Sequence, residues 1–159
     1  MSKILGIDVG GVIMSNATED ADTSFFSDGY LKTPQNTGAI EIITKLVPQF
    51  DAVYIVSKCR EKIQQKTLKW FSHHHFHQKT KIPQQNVYFC IQRHEKAPIC
   101  EKLGITHFID DKLEVLSYLE TVPNKFLFKP RDKEVKQYSE FLPLVKRVES
   151  WQELSEVIL

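Results

Sequence analysis

Asp8, Ser57, Lys96 and the adjacent pair Asp110-Asp111 are the residues whose types can do chemistry together in this chain of 159 residues. Asp8 closes the apolar run "KILGID" (3–8) and is followed by Gly10-Gly11, a turn able to hold a phosphate. Ser57 closes "AVYIVS" (52–57), and Asp110 closes "THFID" (106–110). Lys96 opens the helical stretch "KAPICEKLG" after a third run, "NVYFCI" (86–91). In open parallel sheets, ligands bind beyond the carboxyl ends of the strands, near the point where strand order reverses. Acidic side chains, a hydroxyl and a lysine at one such edge make a site for a metal-bound phosphate.

The elements that must position these residues follow from periodicity. The four runs above read as buried strands, and "KFLFK" (125–129) as a fifth. Between them lie helical patterns. Ala39, Ile40, Ile42, Ile43, Leu46 and Val47 recur at helical spacing up to Pro48, and "REKIQQKTLKWFSHH" puts Ile63, Trp70 and Phe71 on one face. "KAPICEKLG" closes at Gly104, a favourable end residue, and "KLEVLSYLE" follows Asp111. The tail "KRVESWQELSEVIL" predicts a last short strand and a docking helix with Ser150 as N-cap and Glu153 at the capping-box position. Alternation of this kind predicts an α/β fold, a doubly wound parallel sheet with helices on both faces. The expectation is one domain over residues 1–159, interrupted by a polar, acidic insertion at about 14–36 with room for a short hairpin.

Composition narrows the function classes. Lys and Arg total 21 against 20 Asp and Glu, a net charge of +1, which gives no strong signal for nucleic-acid binding and leaves small charged substrates open. No stretch approaches the roughly 20 apolar residues of a membrane span, and the N-terminus lacks signal-peptide character. The three cysteines, Cys59, Cys90 and Cys100, are odd in number and without Cys-x-x-Cys spacing, as expected of packing thiols in a reducing, cytoplasmic compartment.

On these residues the chain resembles the haloacid dehalogenase-like superfamily of aspartate-nucleophile phosphohydrolases. "DVGGV" (8–12) is similar to its first motif, "VS" (56–57) to its second, Lys96 to its third, and "FIDD" (108–111) to its fourth, in the family's order. The resemblance implies a Rossmann-like core of three α/β/α layers without a large cap domain. It implies that Asp8 attacks the phosphate of a small phosphorylated substrate, forming an aspartyl-phosphate and dividing hydrolysis into two easier steps. Asp8, Asp110 and the backbone carbonyl of Gly10 would ligate Mg²⁺, a hard cation that compensates the charge of anion meeting anion. Lys96 would neutralise the nucleophile and the transferring group, Ser57 and Gly11 would bind phosphate oxygens, and Asp111 would orient Lys96 or a metal-bound water.

The chain departs from the family at Gly10, where its phosphatases usually carry a second Asp as general acid and base. Loss of such a group costs about 10² to 10⁴ in rate, or roughly 3 to 5 kcal/mol of barrier. Glu19, Asp20 or Asp22 of the insertion is the candidate substitute. The short insertion implies an open site of the kind the family uses for larger substrates, nucleotides or caps supplied by a partner. The contrasting expectation is a metal- or phosphate-binding module on the same fold that has lost turnover and serves a regulatory or scaffold role.

Other readings fit less well. "GIDVGG" also resembles the actin-like sugar kinases, but Val12 stands where those usually carry a hydroxyl, and the length leaves no room for a second lobe. A receiver domain carries its acidic pair early and its lysine late, the reverse of the order here. "HHHFH" (73–77) invites a transition-metal site, yet consecutive histidines cannot all face one ion on a helix, so helix-end decoration is the simpler expectation. Trp70, Phe71 and Trp151 are expected in the core.

Overall fold

The computed structural model describes residues 2–15 and 25–159. Six strands, β1 (Ile4–Ile7), β2 (Ala52–Lys58), β3 (Val87–Cys90), β4 (His107–Asp110), β5 (Asn124–Phe128) and β6 (Lys146–Val148), form one parallel sheet in the order β3-β2-β1-β4-β5-β6. The chain enters at the centre and winds outward twice, so strand order reverses between β1 and β4. Parallel crossovers are right-handed, so the two directions of winding send their helices to opposite faces.

Strand alternation divides the core in two. Leu5 and Ile7 of β1, Val53 and Ile55 of β2, Ile109 of β4, and Phe126 and Phe128 of β5 point to one face. There they meet α1 (Ala39–Leu46), α2 (Glu61–His73), α3 (Phe76–Thr80) and α7 (Trp151–Val157), with Trp70, Phe71 and Trp151 fully buried as expected. Val56, Phe108 and Leu127 point to the other face, against Cys100 of α4 (Lys96–Leu103) and Leu113 and Leu116 of α5 (Leu113–Tyr118). This period of two, with apolar residues on both faces, is why the strands read as nearly continuous apolar runs. Gly6 allows the closest approach: a Cβ there would lie 2.5 Å from the Phe108 ring.

Several segments differ from expectation. The helix predicted over 60–74 stops at His73, because His75 turns left-handed (φ 54°) and starts the separate α3, which ends at left-handed Lys81. The short α6 (Asp132–Gln137) has no buried residue and therefore no apolar stripe to betray it. At α7 the Ser150 Oγ accepts the Glu153 amide, but the Glu153 carboxylate takes the amide of Glu149 rather than that of Ser150. The described ends of the insertion meet at an antiparallel bridge between Met14 and Gln35, and a 3₁₀ turn covers Tyr30–Lys32. Indole donors secure them: Trp70 Nε1 donates to Thr33 O and Trp151 Nε1 to Val12 O, each at 2.9 Å. No large cap domain stands among the described residues.

Candidate active site at the sheet's switch point

Register brings the acidic residues together. Ile7 pairs with Ile109, and the Asp8 amide donates to the Ile109 carbonyl at 3.0 Å, so Asp8 leaves β1 beside Asp110 at the end of β4. Lys96 reaches the same point from the first position of α4, the helix that follows β3 in the chain. A capping box places it: the Glu95 carboxylate accepts the amides of Gln92 at 2.6 Å and Ile91 at 3.2 Å, tightening the turn that leads into α4. The Lys96 side chain is 2% exposed, and its Nζ donates to Asp8 Oδ1 at 2.9 Å and Asp110 Oδ2 at 2.8 Å. The Lys112 amide occupies the other Asp110 oxygen at 2.9 Å.

Asp8, Asp110 and Asp111 offer ligand oxygens within 4.8 Å of one another, and all three are buried. Burial pushes the Asp110 carboxyl up to about 6, reinforced by Asp8 and opposed by Lys96. The same burial raises Asp111 well above the carboxylate range, reinforced by Asp8 and Asp110. Burial also works against the charge on Lys96, but Asp110 and Asp8 outweigh it and hold the ammonium well above its ordinary value. One buried ammonium, bonded to Asp8 and Asp110, thus stands against a cluster of three carboxyl groups, a surplus of oxygen ligands that suits a divalent cation. An all-oxygen donor set that is partly open to solvent fits a hard ion such as Mg²⁺ better than a soft one.

The acidic cluster opens into a cavity of about 230 Å³ lined also by Gly10, Ser57, Lys58, Arg93 and Lys112. Lys112 Nζ stands 3.5 Å from Asp111 Oδ2, and Arg93 Nη1 is fixed at 2.6 Å from Glu114 Oε1. Three carboxyl groups and the cations Lys58, Arg93 and Lys112 thus line one space, a charge pattern that suits an anion and a cation together.

No family model and no curated protein matches the sequence. The fold, in contrast, resembles those of solved structures. It superposes on D,D-heptose 1,7-bisphosphate phosphatase from B. bronchiseptica, complexed with magnesium and phosphate, with a TM-score of 0.69 at 13% identity over 98% of this chain and 97% of that one. It is similar to a protein described as a haloacid dehalogenase-like hydrolase from Burkholderia xenovorans (TM-score 0.64, 13% identity, 98% of each chain). It is also similar to the cobalt-bound deoxy-D-mannose-octulosonate 8-phosphate phosphatase from Haemophilus influenzae (TM-score 0.56, 14% identity, 99% of this chain and 87% of that one). The chain has the haloacid dehalogenase-like fold.

Within this haloacid dehalogenase-like fold, Asp8, Ser57, Lys96, Asp110 and Asp111 lie together around the switch-point cavity. Gly11 does not join them. Its backbone is left-handed (φ 79°) and its amide donates to Met14 O at 2.9 Å, so its hydrogen is taken within the turn that returns the chain to the core. Gly10, in contrast, is exposed, has no positive φ, and an added Cβ would meet nothing within 4 Å. The backbone there tolerates the aspartate that this chain lacks. Glu19, Asp20 and Asp22 fall outside the described residues.

The histidine run has structural work. His74 Nε2 donates to Leu31 O at 2.8 Å beneath the Trp70 ring, and His77 Nδ1 donates to Ile82 O at 2.8 Å. Among the described residues the only metal-capable cluster is the aspartate trio. Sequence reasoning missed the cations Lys58, Arg93 and Lys112, although two of them directly follow a site residue in the chain, Ser57 and Asp111 respectively.

Proposed function

We propose that this chain is a Mg²⁺-dependent phosphatase of the haloacid dehalogenase type, acting as one domain on a small phosphorylated substrate through an aspartyl-phosphate. The observation that carries the reading is the buried Lys96 bridging Asp8 and Asp110, with Asp111 beside them. A lysine so placed holds the nucleophile at Oδ1 and keeps a permanent positive charge at the point of transfer.

Asp8, Asp110 and the Gly10 carbonyl would hold the Mg²⁺, which offsets the charge of the phosphate as Asp8 approaches it. The Asp8 carboxylate attacks phosphorus, an Oδ–P bond forms to give an acyl phosphate, and the substrate's P–O ester bond breaks, releasing its alkoxide. Ser57 donates a hydrogen bond to a phosphate oxygen, and Lys96 balances the charge on Asp8 and on the group in flight. Water then attacks phosphorus, returning the Asp8 carboxylate and inorganic phosphate. Asp111 supports the site by orienting Lys96 or an ordered water. With Gly10 bearing no carboxyl group, the alkoxide takes its proton from solvent water, and esters with good leaving groups turn over fastest.

That two structures of similar fold contain magnesium or cobalt, and that their names assign them phosphorylated substrates, supports the choice of metal and of substrate class. Three free cysteines support a cytoplasmic setting. The second reading, a binding module without turnover, is favoured by Gly10 alone. Phosphate release from nucleotides, sugar phosphates and an aryl phosphate, with and without Mg²⁺, separates the two. Metal-dependent release lost in Asp8→Asn supports the phosphatase, and Mg²⁺ binding without release from any compound supports the module.

A further inference from the structure

The sheet edge that carries Asp8 and Asp110 continues one strand outward. Asp110 of β4 pairs with Leu127 of β5, so the chain leaving β5 after Phe128 emerges at the same edge as the aspartates. There α5, α6 and the turn before α4 border a cavity of about 390 Å³ that shares Arg93 and Lys112 with the phosphate cavity. Its size falls within the range of small-molecule sites. Its wall residues lie between 93 and 138, a stretch described throughout.

Cations outnumber acids in this wall: Arg93, Lys112, Arg131 and Lys133 stand against Glu114 and Glu134. Both acids are committed within the protein. The Glu114 carboxylate accepts from Arg93 Nη1 and from the Tyr118 hydroxyl, each at 2.6 Å. Glu134 Oε1 accepts the Glu114 amide at 3.1 Å, which ties α6 to α5. Arg93 is thereby balanced, and Lys112 Nζ leans toward Asp111 at 3.5 Å. Arg131 and Lys133 are left over. Both are exposed, and among the described residues neither has a carboxylate in ion-pair contact.

Cations placed around a concave space focus positive potential within it. A guanidinium fork beside an ammonium matches the oxygens of a phosphate or a carboxylate and makes charge-assisted hydrogen bonds to them. Arg131 immediately precedes α6 and Lys133 lies in its first turn, so the bond from Glu134 to α5 also fixes the stretch that presents both cations. A ligand occupying both cavities would pass the wall they share at Arg93 and Lys112. One anion would then lie beside Asp8 and a second at Arg131 and Lys133.

We propose that the substrate is a phosphate monoester bearing a second anionic group, a phosphate or a carboxylate, which Arg131 and Lys133 bind together with Lys112. This rests on the phosphatase reading of the adjoining site. The test is calorimetric titration of the protein in Mg²⁺ with inorganic phosphate and with propyl-, butyl- and hexylphosphonate, whose carbon–phosphorus bond cannot be hydrolysed. The same alkyl chains ending in a second phosphonate or in a carboxylate are titrated beside them, and the kind that gains more identifies the anion. The proposal expects at least one doubly anionic compound to bind about tenfold or more tightly than the monophosphonate of its own chain. It expects that advantage to shrink to about twofold in an Arg131→Gln, Lys133→Gln double variant, with inorganic phosphate bound as before. Phosphate bound, but no doubly anionic compound tighter than its monophosphonate, would overturn the second-anion subsite and leave the phosphatase reading standing. An advantage undiminished in the double variant would do the same. No binding of phosphate or of any phosphonate would remove the phosphate site and the subsite with it.

Discussion

Lys96 Nζ sits between Asp8 Oδ1 and Asp110 Oδ2, at 2.9 and 2.8 Å, with 2% of the lysine side chain exposed. The lysine is thus part of the fold's charge balance as well as of the proposed chemistry. Removing one partner of a buried ionic cluster leaves uncompensated charge, typically at a cost of about 3 to 5 kcal/mol. Lys96→Met should therefore lower stability by about that amount in metal-free buffer, as read by urea denaturation. An unchanged midpoint would show that the cluster sheds its charge by taking up protons instead.

On the phosphatase reading Gly10 stands where an acid group would serve, and the structure leaves room for one. A Cβ there meets nothing within 4 Å, so Gly10→Asp should fold as well as the natural chain. If the proton for the leaving group is limiting, the added carboxyl should raise turnover of poor leaving groups by about 10² or more and affect an activated aryl phosphate far less. Equal effects on both kinds of substrate would mean that another residue already supplies the proton.

Much of this was legible in the sequence, for reasons that particular residues make clear. The strands carrying Asp8, Ser57 and Asp110 are short apolar runs ended by polar residues, and strand order alone brings those ends to one edge. Lys96 was legible because it opens a helix beyond the third strand. The course of the described insertion residues was not legible. Phe25 and Phe26 sit in a polar insertion whose path is set by remote bonds from Lys66 and Trp70, and no local pattern encodes those. The role of the Gly10-Gly11 turn was legible only in part: a glycine turn beside Asp8 suggests phosphate binding, and nothing local to it announces that the Gly11 amide bonds Met14. The α2–α3 break at His75 depends on a left-handed residue that is not glycine, which periodicity cannot announce.

Gly6 is a test of packing between β1 and β4. A methyl group at this position would fall 2.5 Å from the Phe108 ring, and overpacking of this kind costs about 1 to 3 kcal/mol. Gly6→Ala should lower the thermal midpoint by several degrees, whereas Gly10→Ala should leave it nearly unchanged. Equal midpoints for both variants would contradict the close packing of β1 on Phe108.

Two histidines give the fold a dependence on pH. Burial lowers the pKa of His74, partly offset by the Leu31 carbonyl, and burial lowers that of His107, with Lys3 adding to the effect. Each binds its proton more weakly folded than unfolded, so the folded state is favoured above the ordinary value of 6.5 and loses stability as pH falls through it. In buffer with Mg²⁺, which on the proposed reading is bound by Asp8 and Asp110, the thermal midpoint should fall from about pH 7.5 to about pH 5.5. The fall should be smaller in a His74→Gln, His107→Gln double variant. A slope identical to that of the natural chain would assign the effect to other groups.

The account stands or falls on Asp8 as the nucleophile. The most direct measurement is to mix the protein with an aryl phosphate and Mg²⁺, quench in acid within one turnover, and look by peptide mass spectrometry for a phosphoryl group. The account predicts that group on the peptide containing Asp8 in the natural chain, and neither label nor phosphate release in Asp8→Asn. Phosphate release by Asp8→Asn at the rate of the natural protein, with no label on Asp8, would contradict it.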